Sequence, residues 1–198
     1  MIRVRFPGPG HEHGILWGNK LEVYLSENAF IGLLVSTIEV YRRECFGILL
    51  GYSTPDRKFV DFVVPYQTAK RKFREAYINW NRSQRVEEAV RTASRWECVG
   101  DYHSHSMYGP KRATTRLSKE DLKHFKEGDI SIVVAINDLS RPRKWNYVDR
   151  GTLSGTINSY SLRICAYYKS GGEVRRVSIV CPYAIGFLEK NITLPNKS

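Results

Sequence analysis

The chain has 198 residues, of which 42% are hydrophobic, and this predicts a single domain with one sizeable core. An excess of 31 Lys and Arg over 20 Asp and Glu gives a formal net charge of +11, which favours acidic partners without specifying nucleic acid. No apolar run is long enough for a signal peptide or a membrane span, so a soluble, cytoplasmic protein without a membrane partner is expected.

The first part of the chain predicts a strand, a helix and two further strands. A short strand near Leu21–Leu25 precedes Ser26, a residue type typical of helix N-caps, and a helix is predicted from there to about Arg43. The runs Cys45–Leu50 and Lys58–Val64 are apolar and bounded by turn residues, which is typical of buried strands. We expect these two strands to be joined by a short polar turn.

A basic and aromatic stretch follows, between Pro65 and Trp96. Within it, Asn81 or Ser83 is predicted to cap a second helix. The apolar residues of this helix recur at helical spacing and are expected to share one face; they are Val86, Ala89, Val90 and Ala93.

The second half of the chain predicts more strands than helices. Glu97–Tyr102 and Ile130–Ile136 have the composition of buried strands, with a short helix at Ser118–Glu127 between them. Ser159–Tyr168 and Glu173–Cys181 are predicted to form a hairpin. The order of elements indicates an α/β fold in which a mixed sheet lies between helices.

Two histidines follow the strand that begins at Glu97. On an extended backbone residues i and i+2 point to the same side, so His103 and His105 are able to bind one ion. Ser118 stands at a predicted helix start, and the first helical turn is expected to bring Asp121 towards the histidines as a third ligand. Two histidines and a carboxylate with an open fourth position are typical of a catalytic zinc site.

Hydrolysis at such a site also needs a group that takes a proton from water and returns it to the leaving amine. Glu44 stands directly before the buried strand Cys45–Leu50 and is the candidate for this role. These residues, in this order, resemble the JAMM/MPN+ metalloprotease pattern, in which a glutamate before an apolar strand precedes H-x-H and then S-x-x-D. The resemblance extends from about Leu21 to Asn137. Within the family, the chain resembles proteasome-lid-type deubiquitinases and their prokaryotic relatives.

The resemblance implies a role for each matching residue. His103, His105 and Asp121 are implied as ligands of a zinc ion, Zn2+, and no organic cofactor is implied. Glu44 is implied as the general acid/base, and Ser118 as a hydrogen-bond donor to the tetrahedral oxyanion. The implied fold is a single MPN domain, a cytidine-deaminase-like α/β fold with a mixed curved sheet packed between helices.

The domain boundaries expected from this resemblance leave two short ends. The catalytic domain is predicted over 21–188, with insertions near 66–82 and 106–117, an N-terminal extension at 1–20 and a tail at 189–198. The chain departs from the family pattern in having Ser106 where a proline is usual, and in a longer segment between His105 and Ser118. Added loop length costs little free energy, but it is expected to bring additional side chains over the site; they are Tyr108, Lys111, Arg112 and Arg116.

Each part of the pattern also has an ordinary structural interpretation. Ser118 with Asp121 is a common capping pattern, Glu44 is a possible strand-edge charge, and isolated histidines are often polar residues in a turn. The ordered combination favours the metal site. The segment His11-Glu12-His13 is a second H-x-H, but no S-x-x-D follows it closely, so it is interpreted as solvated chain.

Three functions from different classes remain at this point. The leading hypothesis is an isopeptidase that removes ubiquitin or a ubiquitin-like modifier from substrate lysines, alone or within a proteasome-like assembly. The second is a non-catalytic MPN scaffold subunit, which the intact ligand set disfavours. The third is a basic nucleic-acid-binding protein, suggested by the basic and aromatic stretch Ala69–Arg95, and it ranks lower because no recognised nucleic-acid motif accompanies that stretch.

Overall fold

The computed structural model describes residues 21–66, 70–71, 76–77, 80–138, 141–149 and 151–186. The predicted N-terminal extension at 1–20, the His11-Glu12-His13 segment within it, and the predicted tail at 189–198 lie outside the described residues. Part of the predicted insertion at 66–82 also lies outside them. None of the helices in the described part of the chain is long and apolar enough to cross a membrane.

The first strand and helix form where the sequence predicts them. Strand β1 spans Glu22–Leu25 and helix α1 spans Glu27–Glu39. Ser26 is the N-cap of α1, and its Oγ accepts a hydrogen bond from the main-chain N–H of Ala29 at 3.1 Å. The predicted extension of α1 to Arg43 is wrong, because the chain turns after Glu39 and Arg42 has a positive φ of 72°.

The two apolar runs that follow form an antiparallel pair. Strand β2 spans Phe46–Ser53 and strand β3 spans Arg57–Pro65, and Ile48 lies opposite Val64. The intervening turn is closed by the hydrogen bond from the N–H of Thr54 to the carbonyl of Arg57, at 2.8 Å. Both predicted strands and the predicted turn are confirmed.

The basic stretch contains a small hairpin and the second helix. Strands β4, Lys70–Arg71, and β5, Ala76–Tyr77, pair with each other, and helix α2 spans Trp80–Ala93. Since α2 begins at Trp80, the predicted cap at Asn81 or Ser83 is wrong: both residues lie within the first turn. The predicted apolar face is confirmed, because Val86, Ala89, Val90 and Ala93 line a groove against β2 and β3.

The next three elements include the two that contain the predicted metal ligands. Strand β6 spans Glu97–Ser106, helix α3 spans Lys119–His124 and strand β7 spans Ile130–Asp138. Strand β6 therefore continues beyond Tyr102 and includes both histidines. Helix α3 is shorter than predicted, because Phe125 is extended and buries its ring in a cluster with Val133.

The last part of the chain contains four elements. Strands β8, Asn146–Tyr147, and β9, Leu153–Ile157, precede strand β10, Tyr160–Ser170, strand β11, Glu173–Val180, and helix α4, Pro182–Gly186. Strands β10 and β11 form the predicted hairpin. Its turn contains Gly171 and Gly172, which have positive φ values of 61° and 77° that glycine tolerates best.

The sheet closes on itself. Within the described residues nine strands form one sheet in the order β11-β1-β3-β2-β6-β7-β10-β9-β8, and β10 also pairs with β11. Strands β11, β1, β3, β2, β6, β7 and β10 therefore form a closed ring. The expectation of a mixed α/β domain is confirmed, but the prediction of a sheet packed between helices is wrong, since strand pairing closes the sheet and the helices are few.

One continuous core joins helix α1 to the strands. The main cluster of buried residues contains Phe30 and Leu33 from α1 together with Val23, Leu49 and Ile132 from β1, β2 and β7. Strand β6 lies between β2 and β7 in this sheet, with β7 buried along most of its length. The histidines are therefore positioned on a strand whose neighbours are fixed on both sides.

Candidate metal centre

Strand β6 presents His103 and His105 on one face. The two residues are separated by Ser104, and their ring centroids lie 4.9 Å apart. On β2 Phe46 is the partner of His103, and on β7 Val133 and Ala135 are the partners of the two histidines. Because β6 is paired with β2 and β7, its main chain is fixed and both histidine side chains start from the same face of the sheet.

Asp121 reaches the same face from the first turn of α3. The Oγ of Ser118 accepts a hydrogen bond from the N–H of Asp121 at 3.1 Å, and the N–H of Ser118 donates to Oδ2 of Asp121 at 2.6 Å. This reciprocal pair is a capping box, which fixes both the helix start and the direction of the carboxylate. Ser118 thus orients Asp121 through its main chain as well as capping the helix.

The three predicted ligands converge. Oδ2 of Asp121 lies 3.5 Å from Nε2 of His103 and 3.6 Å from Nε2 of His105. One ligand atom from each of the three residues lies within 4.8 Å of the others, a spacing that could hold a metal ion. The hypothesis that the first turn of α3 brings Asp121 to the histidines is borne out by these distances.

The hydrogen bonds around the imidazoles suit a metal ion. Nδ1 of His105 lies 2.7 Å from the main-chain carbonyl of Thr114, and because a carbonyl only accepts, Nδ1 carries the proton in this contact. The lone pair of Nε2 is then free to face the site. His103 is only 7% exposed, and its Nε2 is a buried atom without a hydrogen-bond partner in the described part of the chain. A buried ring nitrogen that lies 3.5 Å from the Asp121 carboxylate and has no hydrogen-bond partner among the described residues is suited to bind a metal ion.

The acidic and histidine side chains at the site change one another's pKa values. Burial by itself raises the pKa of Asp121, but its contacts with His103 and His105 outweigh burial and hold that pKa well below its usual range. Burial lowers the pKa of His105, whereas Asp121, the carbonyl of Thr114 and the charge of Glu44 raise it, and the net result is a raised pKa. The carboxylate is therefore ionised, and protons compete with a metal ion for His105.

Glu44 directly precedes the chain segment that pairs with β6, and the strand register places it opposite His105. The N–H of Ser104 donates to the carbonyl of Cys45 at 2.9 Å, and the Oγ of Ser104 accepts from the N–H of Cys45 at 2.9 Å. Since Phe46 is the partner of His103 in this antiparallel pair, Glu44 falls opposite His105, on the same face. The half-buried Glu44 is near enough for its charge to raise the pKa of His105.

The segment between His105 and Ser118 is held against three strands. Asn137 on β7 accepts a hydrogen bond from the N–H of Ala113 at 2.8 Å and donates to its carbonyl at 3.2 Å. Thr114 bonds His105 on β6, and Tyr167 on β10 donates its hydroxyl proton to the carbonyl of Thr115 at 2.8 Å. Consecutive residues of this loop are thus attached to different strands. The predicted insertion near 106–117 therefore has a defined conformation beside the site.

Sequence reasoning missed three contributors. The carbonyl of Thr114 cannot be found from a pattern, because every residue has a carbonyl. Asn137 does leave a signal, since an amide at the end of the apolar run of β7 is a polar group that must find a partner. Asp101, on the same face of β6 as the histidines, accepts a hydrogen bond from Oγ of Ser131 at 2.6 Å, and burial raises its pKa.

Comparison with known proteins gives the relationship of the chain. Among solved structures it is similar to the solution structure of protein DSY2949 from Desulfitobacterium hafniense, with a TM-score of 0.57 and 16% identity, covering 80% of this chain and 92% of that chain. At this identity the likeness shows the fold alone. No curated protein matches the chain. The family model of the Prok-JAB domain, described as prokaryotic homologs of the JAB domain, matches residues 30–148, which include Glu44, the three predicted ligands and Ser118. With more than half of its length matched, this chain belongs to the Prok-JAB family and hence to the JAMM/MPN group.

Proposed function

We propose that this chain is a zinc-dependent isopeptidase that hydrolyses the bond between the C-terminal glycine of ubiquitin or a ubiquitin-like modifier and a substrate lysine. The observation that carries the proposal is the convergence of His103, His105 and Asp121 within 4.8 Å beside Glu44, in a chain of the JAMM/MPN group. Its three-ligand set leaves a coordination position for a reactant, as hydrolytic zinc sites require.

The donor set suits zinc among the common metals. Two imidazole nitrogens and one carboxylate oxygen are zinc donors in hydrolases, and no thiolate is needed. Zinc bound there would supply a Lewis acid that polarises the scissile carbonyl and makes water more acidic. The chain's own residues then have to orient the ligands, move a proton and stabilise the charge that develops on the carbonyl oxygen.

Glu44 is proposed to move the proton. Its carboxylate takes a proton from the attacking water and gives it to the ε-amine of the departing lysine, so that the amide C–N bond breaks with a neutral leaving group. Its position opposite His105 supports this role, because the base must face the metal from the side open to substrate. The hydrogen bonds between Ser104 and Cys45 hold the main chain next to Glu44 in place.

Ser118 is proposed to act on the oxyanion. Its Oγ accepts the N–H of Asp121, and this leaves the hydroxyl proton available for donation. A donor at the start of α3, beside the carboxylate ligand, is suitably placed to stabilise charge on the carbonyl oxygen as the tetrahedral centre forms. Ser118 would therefore have two functions, as a cap that orients Asp121 and as a donor to the substrate.

The proposal also includes the partners of this protein and its cellular location. Conjugates of ubiquitin or a ubiquitin-like protein are proposed as partners, in the cytoplasm, either free or within a proteasome-like assembly. A non-catalytic scaffold is the competing function within the same family. The two differ in whether the site turns over substrate, so one assay decides between them.

The test is zinc content measured together with cleavage of a lysine-linked conjugate of a ubiquitin-like protein. We expect one zinc per chain and cleavage that a chelator abolishes and added zinc restores. Glu44→Gln should retain zinc and lose cleavage, whereas His103→Ala should lose both. A wild-type protein that binds zinc and cleaves nothing would favour the scaffold. Full activity in Glu44→Gln would exclude the assigned proton transfer.

A further inference from the structure

We infer that Lys169, on strand β10, is a positioning residue for the metal, because it holds helix α3, and with it Asp121, against the sheet. Since the position of Asp121 matters for function only at a metal site, this role of Lys169 rests on the proposed zinc site. Lys169 lies outside the H-x-H and S-x-x-D pattern and outside residues 30–148, which the family model matches. The way in which an exposed helix is attached to the sheet at its two ends identifies this residue.

Helix α3 carries Asp121 but buries none of its own residues. It spans six residues, Lys119–His124, which make fewer than two turns, and none of the six is buried. Leu122, the apolar residue beside Asp121, is 42% exposed. A helix this short is not stable alone, because its few internal hydrogen bonds do not offset the entropy lost when the chain is ordered. The position of α3 is therefore fixed by the residues at its two ends.

The residues that flank α3 are anchored in one hydrophobic cluster. Phe125, which directly follows α3, is 4% exposed and belongs to the same cluster as Val133 of β7. Leu117, two residues before α3 begins, packs against this cluster as well. We call residues 117–125 the ligand arch, because its two ends are packed on the sheet while α3, its middle, is not buried.

Strand β10 binds the main chain at both ends of the ligand arch. Near the start of the arch, the hydroxyl of Tyr167 donates to the carbonyl of Thr115 at 2.8 Å. At its end, Nζ of Lys169 donates to the carbonyl of Phe125 at 2.8 Å. Tyr167 and Lys169 are two residues apart on an extended strand, so their side chains leave the same face of β10. One strand therefore sets where the arch begins and where it ends.

The chain that follows the ligand arch is attached to the same part of β10. The N–H of Gly128 donates to the carbonyl of Lys169 at 3.0 Å, and the N–H of Lys169 donates to the carbonyl of Asp129 at 3.3 Å. The carboxylate of Glu127 accepts the N–H groups of the two glycines in the turn between β10 and β11. These main-chain contacts keep the Lys169 side chain beside the carbonyl of Phe125.

The hydrogen bond from Lys169 is suited to hold the end of α3. Phe125 is the C-cap of α3, and the last carbonyls of a helix have no partner within the helix and carry partial negative charge. An ammonium group both satisfies such a carbonyl and offsets its charge, and a charge-assisted hydrogen bond is stronger than one between neutral groups. Lys169 is half-buried, so water competes less for this bond. Removal of its side-chain donor releases the arch without breaking a strand pair.

Charge and attachment have opposite effects on zinc affinity at this position. Lys169 is a cation, so removal of its charge by itself strengthens the binding of a zinc ion, because like charges repel. Loss of the attachment weakens zinc binding, because Asp121 then lies away from the histidines in a larger fraction of the molecules. A lower zinc affinity in Lys169→Met therefore reports lost positioning and not the lost charge.

The experiment compares Lys169→Met with the control Lys123→Met. Methionine keeps most of the apolar stem of lysine and lacks the ammonium group. Lys123 is two residues from Asp121 and pairs with Glu120 at 2.7 Å, within α3, so its loss removes the same charge without detaching the helix from the sheet. Lys169→Arg, which still carries donors, tests rescue. Competition with a chromophoric chelator gives the zinc affinity of each full-length protein, and hydrogen exchange of the metal-free proteins reports on opening of α3.

We expect Lys169→Met to bind zinc about tenfold more weakly, the lower end of the loss that follows removal of a group that orients a metal ligand. The amides of α3 should exchange faster in this variant, while those of β6 and β7 exchange as in wild type, because the opening is local. Lys123→Met should stay within about twofold of the wild-type affinity, the scale of an exposed ion pair within a helix. Lys169→Arg should recover most of the affinity.

The results that contradict the inference differ from those that contradict the proposed function. Unchanged zinc affinity in Lys169→Met, or an equal loss in Lys123→Met, would overturn the inference. Exchange that accelerates equally in α3, β6 and β7 would mean that Lys169 stabilises the whole domain, and this too would overturn it. A wild-type protein that binds zinc but cleaves no conjugate would refute the isopeptidase and leave the role of Lys169 standing. If wild type binds no zinc, the proposed zinc site is refuted, and with it this role of Lys169.

Discussion

Replacing Asn137 with leucine should loosen the candidate metal site without changing a predicted ligand. The amide of Asn137 is 3% exposed and makes two hydrogen bonds with the main chain of Ala113. Leucine has a similar size but no polar atom, so both bonds are lost and the polar groups of Ala113 must find other partners. That loss costs about 1–3 kcal/mol of folding free energy. For a chain of this length it lowers the melting temperature by roughly 2–4 °C per kcal/mol.

The substitution is expected to weaken zinc binding through Thr114, the residue that follows Ala113. The hydrogen bonds of Asn137 fix the main chain of Ala113 and thereby that of Thr114. The carbonyl of Thr114 sets the tautomer and orientation of His105. Removing a partner of a metal-bound histidine typically costs about 10- to 100-fold in metal affinity, so we expect Asn137→Leu to weaken zinc binding by that factor. Competition with a chromophoric chelator measures the affinity, and urea unfolding of the metal-free protein measures the stability.

Thr156→Val provides the matched control. The Oγ of Thr156, which is 6% exposed, accepts from the N–H of Arg143 at 3.0 Å and donates to its carbonyl at 2.9 Å, so it also binds a loop main chain by two hydrogen bonds. Its loop contacts no predicted ligand among the described residues. Thr156→Val should lose stability but keep its zinc affinity. If the two variants bind zinc equally well, the argument that Asn137 acts through Thr114 is refuted.

Three other expectations follow from the same contacts. Ser104→Ala removes the hydroxyl that binds the main chain next to Glu44, so it should lower kcat while zinc content stays at one per chain, and loss of zinc in this variant would contradict the separation of the two roles. Zinc affinity should fall as the pH falls through the raised pKa of His105, by up to about tenfold per pH unit for one competing proton. Titration calorimetry in two buffers should detect the proton that zinc binding releases. An affinity that does not change between pH 5.5 and 8 would argue against this competition. Gly47→Ala should cost about 3 kcal/mol or more in urea unfolding, because a Cβ there lies 2.4 Å from the Tyr102 ring and 2.3 Å from a main-chain oxygen of β3. Gly186→Ala should be near neutral, because its Cβ meets none of the described residues within 4 Å.

The order of chemically distinctive residues could be predicted from the sequence. A glutamate before an apolar strand, two histidines at i and i+2, and a serine three residues before an aspartate each impose a local geometry that needs no distant contact. The strand places His103 and His105 on one face, and the capping box turns the Asp121 carboxylate back towards the start of α3. Local geometry is short-range, so a pattern of residues suffices to specify it.

The errors in the predicted fold occur where local preference gives way to tertiary contacts. Helix α1 ends at Glu39 although its apolar spacing continues, because the chain must turn to start β2 beside β6. Helix α3 ends early because Phe125 is buried in a cluster with strands β7 and β10. In both cases the burial of a side chain or the pairing of a strand outweighs a helix propensity of a few tenths of a kcal/mol per residue.

The sequence alone predicts which residues form the candidate site, the order in which they occur and the elements that carry them. The closed ring of strands was decided by tertiary structure, because the pairing of β10 with both β7 and β11 depends on sheet twist and register summed over the whole chain. The same holds for the contacts that complete the site, in which Asn137 on β7 binds the main chain of Ala113 and the carbonyl of the next residue, Thr114, contacts His105. A main-chain carbonyl has no sequence signature, and only the folded chain shows which one lies beside a predicted ligand.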